Sequence, residues 1–248
     1  MFRRAMHEEP LILSIDTSDR ELGVDVSVGG ESLSRRVSSE PRIHASMLVP
    51  TILEVLLQSG KVMKDLDAVA VASGPGSYTG LRIGASTAKG LSFALGIPLI
   101  AVPTMHALAT AFRDLKNRAA LVTCLPSRKG EVYAQIWDVA ESPAALTDVV
   151  VLTVEELPDF LVTSGRNEFV AIGSGAESLL RATAGLSMVK TNNAPGDAER
   201  STVDGVAVLA FQRFMSGGFE DVARFEPFYL NEFVAKKGSS PFEAAQNR

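Results

Sequence analysis

Residues 73–84 read SGPGSYTGLRIG, a loop of glycine, proline and hydroxyl side chains that runs into the helical segment GLRIGASTAKGLSFALG (80–96), closed by Gly96 and Pro98. Gly80, Gly84, Ala88 and Ser92 recur every four residues, so one stripe of that helix carries almost no side chain. Glycine inside a helix costs about 1 kcal/mol relative to alanine, so two on one face imply a close backbone neighbour. That neighbour is either this chain's own sheet or the helix of a partner. A third use, an anion held by loop amides and the helix N-terminus, lacks a recognised phosphate pattern. A P-loop needs G-x-x-x-x-G-K-[ST], but Gly74 and Gly80 are one residue too far apart and Leu81–Arg82 follows. A dinucleotide fingerprint matches at Gly74 and Gly76 and fails at Thr79.

Around this loop the chain alternates strands and helices. LILSID (11–16), ELGVDVSV (21–28) and SLSRRV (32–37) read as three strands joined by short turns, an antiparallel meander. Residues 43–59 carry Leu48, Ile52, Val55 and Leu56 at helical spacing, with Pro50 expected to kink the helix or mark its first turn. DAVAVA (67–72) and LIAV (99–102) are buried strands, and Thr104 is placed to cap a helix over 105–116. The pattern then restarts with strands over 120–125, 131–137 and 149–152. Thr153 and Glu156 form a capping box for a short helix. A strand at 169–173 leads through GSGAE to a helix over 176–184, and a long helix over about 202–216 ends at Gly217–Gly218. This predicts a lobe over 1–104, a second over 105–235 and a polar tail, 236–248, with little to bury.

A net charge of −5 argues against independent nucleic-acid binding, which depends on Lys and Arg releasing counterions. The single cysteine, Cys124, excludes an internal disulfide framework and fits a reducing cytoplasm. The apolar run LILSI after MFRRAMHEEP is too short for a signal peptide, and nothing else is long enough to span a membrane.

ILSIDTS (12–18), IHASMLVPTILEVL (43–56) and above all SGPGSYTGLRIGASTAKGLSFALGIPLIAVPTMHALA (73–109) closely resemble the bacterial TsaB (YeaZ) family. RKGEVYAQIW (128–137) and EPFYLNEF (226–233) are similar to that family's later landmarks. The resemblance implies an α/β fold of the actin-like/RNase H-like (ASKHA) kind, with two related lobes. It implies a role in placing a threonylcarbamoyl group on adenosine beside the anticodon of tRNAs that read codons beginning with A. In that family TsaB is not the catalyst. It pairs with TsaD, which carries the metal site and transfers the group; the ATPase TsaE joins them, and a separate enzyme makes the activated donor. No cofactor is then expected to stay bound to this chain, ATP and metal belonging to the partner subunits. A homodimer is expected in isolation, and tRNA contact only within the complex. The family's TsaD contact uses the two helices of the first lobe. Here that points to Leu48, Ile52, Leu56, Gly80, Leu81, Gly84, Ala88 and Leu91 as interface residues.

Asp16 and Thr17 end the first strand where actin-like ATPases place a metal-linked aspartate and a phosphate hairpin, and Gly173 and Gly175 fall where adenosine-binding glycines lie. These four are candidate weak nucleotide-binding positions. DTSDREL, however, has no glycine before Gly23, so a turn aspartate bonding its own backbone is the favoured reading. GSGAE likewise reads more readily as a strand-to-helix turn. The catalytic relative has two histidines one helical turn apart; His44 has Leu48 at that position, which leaves a poor metal site. His7 and His106 read as structural or solvated, Cys124 as a buried inert thiol, and Arg35–Arg36 and Arg128–Lys129 as solvated basic pairs. An ATP-dependent phosphotransferase of the same superfamily and a metallopeptidase are the competing functions.

Overall fold

The computed structural model describes residues 9–40, 43–113, 119–138, 142–186, 190–193 and 200–230. His7, residues 114–116 of the expected third helix and the 236–248 tail lie outside them.

The first sheet is built on β1 (Leu11–Asp16), with β2 (Leu22–Val28) and β3 (Glu31–Ser38) antiparallel to it in sequence, as the short turns require. Helix α1 (His44–Gln58) leads to β4 (Ala68–Ala72), and α2 (Tyr78–Leu95) leads to β5 (Leu99–Val102). The strand order is β3-β2-β1-β4-β5, with β4 parallel to β1 and β5 parallel to β4. Helix α3 (Thr104–Ala111) carries the chain to the second sheet. There β6 (Ala120–Pro126) pairs antiparallel with β7 (Glu131–Asp138), which also pairs with the short β8 (Ala144–Ala145) and with β9 (Val150–Thr153). After α4 (Leu157–Thr163), β10 (Glu168–Ile172) lies parallel to β6; after α5 (Ala176–Thr183), β11 (Lys190–Asn193) lies parallel to β10. Helix α6 (Thr202–Met215) follows. Each sheet thus has a central strand with an antiparallel meander on one side and two parallel strands on the other. This is the two-lobed actin-like/RNase H-like arrangement, built twice from unlike sequences.

The run LILSID is nearly continuous in apolar residues because β1 is covered on both faces. Leu11, Leu13 and Ile15 join Val24, Val26, Val69 and Val71 against Ile52 and Val55 of α1 and Ala85 and Ala88 of α2. Ile12 joins Ala68, Ala70, Ala72 and Ile100 on the other face, against Ala107 of α3 and Val206 and Ala210 of α6. The alternation AVAVA in β4 puts its small side chains toward α6, so that helix lies close to the sheet. A Cβ on Gly205 would come within 1.7 Å of the Ala107 carbonyl oxygen, so α3 and α6 also cross in tight contact. Although α6 follows the second sheet in the chain, it covers the first. A cut at residue 104 would separate it from the surface it buries.

Two local expectations change, at Thr104 and at the start of α2, and the position of Pro50 is narrowed. Thr104 does not cap α3: its hydroxyl accepts from the Gly74 amide at 3.0 Å, and the helix ends at Ala111 with Phe112 following. Pro50 lies in the interior of α1, on its exposed side, where water can reach the backbone that proline leaves unpaired. Helix α2 begins two residues early, at Tyr78, because the Ser77 hydroxyl accepts from the Gly80 amide at 3.3 Å and acts as N-cap. The Thr153–Glu156 capping box forms as expected, with the Thr153 amide donating to Glu156 Oε2 at 2.8 Å.

Beneath α6 the first sheet buries a polar patch. Asp25 sits opposite Ser14 in the β1–β2 register, and Ser14 Oγ, Asp25 Oδ1 and Ser27 Oγ are all buried without a hydrogen-bond partner. Burial pushes the Asp25 carboxyl up to about 6, although the Ser32 hydroxyl donates to it. A carboxyl raised above its unfolded value of 3.8 favours the folded state when protonated. That contribution is fully present below the unfolded value and is lost as the pH rises through about 6. Asp25→Asn is therefore expected to raise the melting temperature at pH 7.5. The ceiling is about 3 kcal/mol for a shift of about two pKa units. The gap between variant and parent should close as the pH falls toward 4.5. Thermal melts of both proteins across this range check it, and a gap independent of pH would show that Asp25 is not the titrating group.

Candidate functional site

The C-terminal end of β1 meets the glycine loop. Asp16 is buried and its Oδ1 accepts from the Ser18 amide at 2.9 Å and the Ser18 hydroxyl at 2.6 Å, a turn aspartate closing its own backbone. Burial pushes its carboxyl up to about 6 against the pull of those two bonds. Thr17 donates its hydroxyl to the Gly80 carbonyl at 2.7 Å, and the Ser77 amide donates to the Ser18 carbonyl at 2.6 Å. The Ser73 amide goes to Val102, the Gly74 amide to Thr104 and the Gly80 amide to Ser77. Four amides of the loop, those of Ser73, Gly74, Ser77 and Gly80, are thus bonded inside the chain.

The glycine stripe explains why this contact can form. A Cβ on Gly76 would lie 2.2 Å from the Ser18 carbonyl oxygen, one on Gly80 1.9 Å from the Thr17 carbonyl oxygen, and one on Gly84 2.3 Å from Thr17 Oγ1. The close neighbour is therefore the β1–β2 turn of the same lobe and not a partner helix. This corrects most of the expected interface. Leu48, Ile52, Leu56, Gly80, Leu81, Gly84 and Ala88 are buried in the single chain, and Leu91 is half-buried against the same core.

The outward faces of the same two helices carry different residues. On α1 these are Met47, Val49, Leu53 and Leu57, the last 80% exposed. On α2 they are Ser86, Gly90, Phe93 and Ala94, with Phe93 84% exposed and open space around Gly90. Ser86, Gly90 and Ala94 form a second stripe of small residues, this one facing outward. The α1 sequence held a signal for its face. Apolar residues at 47, 48, 49, 52, 53, 55, 56 and 57 surround more of the helix than one buried side needs.

In the second lobe Gly173 and Gly175 also serve packing. A Cβ on Gly173 would lie 2.5 Å from the Cys124 carbonyl oxygen and one on Gly175 2.9 Å from Cys124 Sγ, and the Gly175 amide donates to the Cys124 carbonyl at 2.9 Å. All four candidate nucleotide-binding positions therefore have partners within the chain. Cys124 is buried, and burial pushes its thiol up to about 12, so it is no nucleophile at neutral pH. His44 Nε2 lies 3.0 Å from the Glu21 carbonyl oxygen, and Leu48, one turn on, is buried in the core. Arg35 pairs with Asp204, and Arg36 lies 3.8 Å from Glu54. Among the described residues no group of three or more His, Cys, Asp or Glu could hold a metal ion, and no helix is long and apolar enough to cross a membrane.

Comparison with known proteins adds three findings. A family model for TsaD, tRNA N6-adenosine threonylcarbamoyltransferase, matches residues 36–158. The tRNA threonylcarbamoyladenosine biosynthesis protein TsaB of Escherichia coli K12 is 29% identical over 91% of this chain and 96% of its own length; the Haemophilus influenzae protein of that name is 34% identical over 49% and 51%. The structure of YeaZ from Pseudomonas aeruginosa superposes with a TM-score of 0.72 at 23% identity, covering 89% of this chain and all of that one.

The packing gives two tests. Gly80→Ala is expected to lower the melting temperature by several degrees, because overpacking of about 1–3 kcal/mol exceeds the gain in helix propensity. Gly90→Ala, in open space, should raise it. Equal effects at the two sites would contradict the docking of α2 on the β1–β2 turn. Cys124 should resist iodoacetamide at pH 8 in the folded protein and react promptly in denaturant. Mass spectrometry of the alkylated chain measures this.

Proposed function

We propose that this chain, which belongs to the TsaB (YeaZ) family, takes part in tRNA threonylcarbamoyladenosine synthesis as a subunit with no catalytic centre of its own. It binds a TsaD-like catalytic subunit and supports transfer of the threonylcarbamoyl group to adenosine beside the anticodon of tRNAs that read codons beginning with A. A TsaE-like ATPase joins the pair, ATP and metal are held by those partners, and tRNA meets this chain only in the complex. The reaction takes place in the cytoplasm, where a lone thiol stays reduced.

The observation that carries this reading is the outward face of α1 and α2. Leu53, Leu57 and Phe93 are apolar and exposed, and Gly90 lies beside them with nothing within 4 Å of a Cβ built there. An exposed apolar patch of this kind marks an interaction surface, and the Ser86–Gly90–Ala94 stripe lets a partner helix approach closely. Alone, two copies of the chain meet through this same face. The rival phosphotransferase reading needs free loop amides, and those of Ser73, Gly74, Ser77 and Gly80 are bonded inside the chain.

The test is co-purification with the organism's TsaD-like protein, then a threonylcarbamoylation assay with and without this chain. Gly90→Leu and Phe93→Glu are expected to keep the melting temperature and to weaken pairing about tenfold or more, equivalent to about 1.4 kcal/mol, with modification falling in parallel. Full pairing by both variants would remove this face from the reading. Modification at the full rate without the chain would remove the function.

A further inference from the structure

A second feature lies away from the α1–α2 face, where the two lobes meet. A cavity of about 440 Å³ opens between Gly74 and Pro75 of the glycine loop, Met105 and His106 of α3, and Gln135 and Trp137 of β7. Its volume is in the range of small-molecule sites, which run from about 300 to 1,000 Å³. Among the described residues, no Asp, Glu, Lys or Arg lines it. The Trp137 indole N–H donates to Thr123 Oγ1 at 3.0 Å, and its ring stacks on the His106 imidazole with centroids 5.2 Å apart. Burial, and then the charge of Arg213, hold His106 below its ordinary value, so at neutral pH the imidazole offers one donor and one acceptor without charge. Gln135 Nε2 donates to the Thr147 carbonyl at 2.9 Å, which fixes the carboxamide on the cavity wall.

A neighbouring cavity of about 410 Å³ shares Ser73, Pro103 and Phe228 with the first. It is charged, with Arg213 and Arg224 set against Glu220, Asp221 and Glu226. Three carboxylates against two guanidinium groups make it unwelcoming to phosphate.

We propose that the apolar cavity binds a small, uncharged, planar heterocycle of one or two rings, held by the Trp137–His106 wall and the polar edges of His106 and Gln135. A ligand carrying a phosphate is excluded, because neither chamber has the net positive charge to hold it. Since the walls come from both lobes, occupancy ties the glycine loop of the first lobe to the sheet of the second.

Trp137 is the chain's single tryptophan, so its emission reports directly on this wall. The test titrates the full chain with benzimidazole and with adenine, exciting at the red edge of the indole band, and uses AMP for comparison. Binding of at least one of the two rings at about 1 mM or tighter is expected, read as a saturable change in Trp137 emission together with a rise in melting temperature. AMP should bind at least tenfold more weakly than that ring. Ala145→Phe, a change at an exposed position on the cavity wall, should abolish the emission change at an unaltered melting temperature. If that variant melts early, Pro143→Trp, another lining position, replaces it and is read by displacement of the ring in melting experiments. No saturable change with either ring, equal binding of AMP, or binding unaffected by the filled cavity each overturns the proposal. So does a full chain whose Trp137 emission already matches the ligand-bound form and loses that signature on truncation after residue 230, since the chain's own tail would then be the occupant.

Discussion

The structure turns on the contact between the first turn of α2 and the β1–β2 turn. Thr17 reaches the Gly80 carbonyl, Ser77 reaches the Ser18 carbonyl, and the missing Cβ atoms of Gly76, Gly80 and Gly84 let the two backbones touch. Once they touch, α2 lies flat on β4, and its apolar residues and those of α1 close one face of the first sheet. The same contact takes up the Thr17 hydroxyl and the Ser77 and Gly80 amides. The loop's glycines therefore serve packing within the lobe.

The opposite face of that sheet is closed by helices from later in the chain. Helix α6 covers β1 and β4, and α3 lies between the sheets, with Ala107 in the first core and Met105, Leu108 and Phe112 in the second. The lobes therefore share a helix and cannot be treated as independent beads. The patch of Ser14, Asp25 and Ser27 lies beneath α6 and carries a cost, since three buried polar atoms lack partners there. The cavity between the lobes sits at the margin of this shared region, with one wall from each side.

An exposed apolar face is what remains after both cores have closed. Helix α1 is apolar around most of its surface, so one side packs inward and Leu53 and Leu57 are left facing out. Helix α2 presents two small-residue stripes about half a turn apart. The inner one admits the β1–β2 turn, and the outer one leaves room for a second helix. The packed side and the exposed apolar side thus lie opposite each other on the same two helices.

Sequence alone determined most of the element order, because strand and helix periodicities are local properties of side-chain spacing. It also predicted the repetition of an α/β unit, the capping box at Thr153, and the stops at Gly96 and Gly217; the second capping box, at Ser201, emerged only in the structure. The turn role of Asp16 was legible too, since an aspartate two residues before an amide can close its own bend. Only the tertiary structure decided where the glycine stripe faces. A row of small residues states that something comes close without stating what, and the partner proved to be Thr17, 63 residues away along the chain. The same holds for Thr104, whose hydroxyl found the amide of Gly74 in place of its own helix, and for Gly173 and Gly175, which make room for Cys124. The placement of α6 on the first sheet is of this kind as well. Spacing along a chain records which face of a helix is apolar, but which sheet receives that face depends on long-range contacts that form only when the whole core closes.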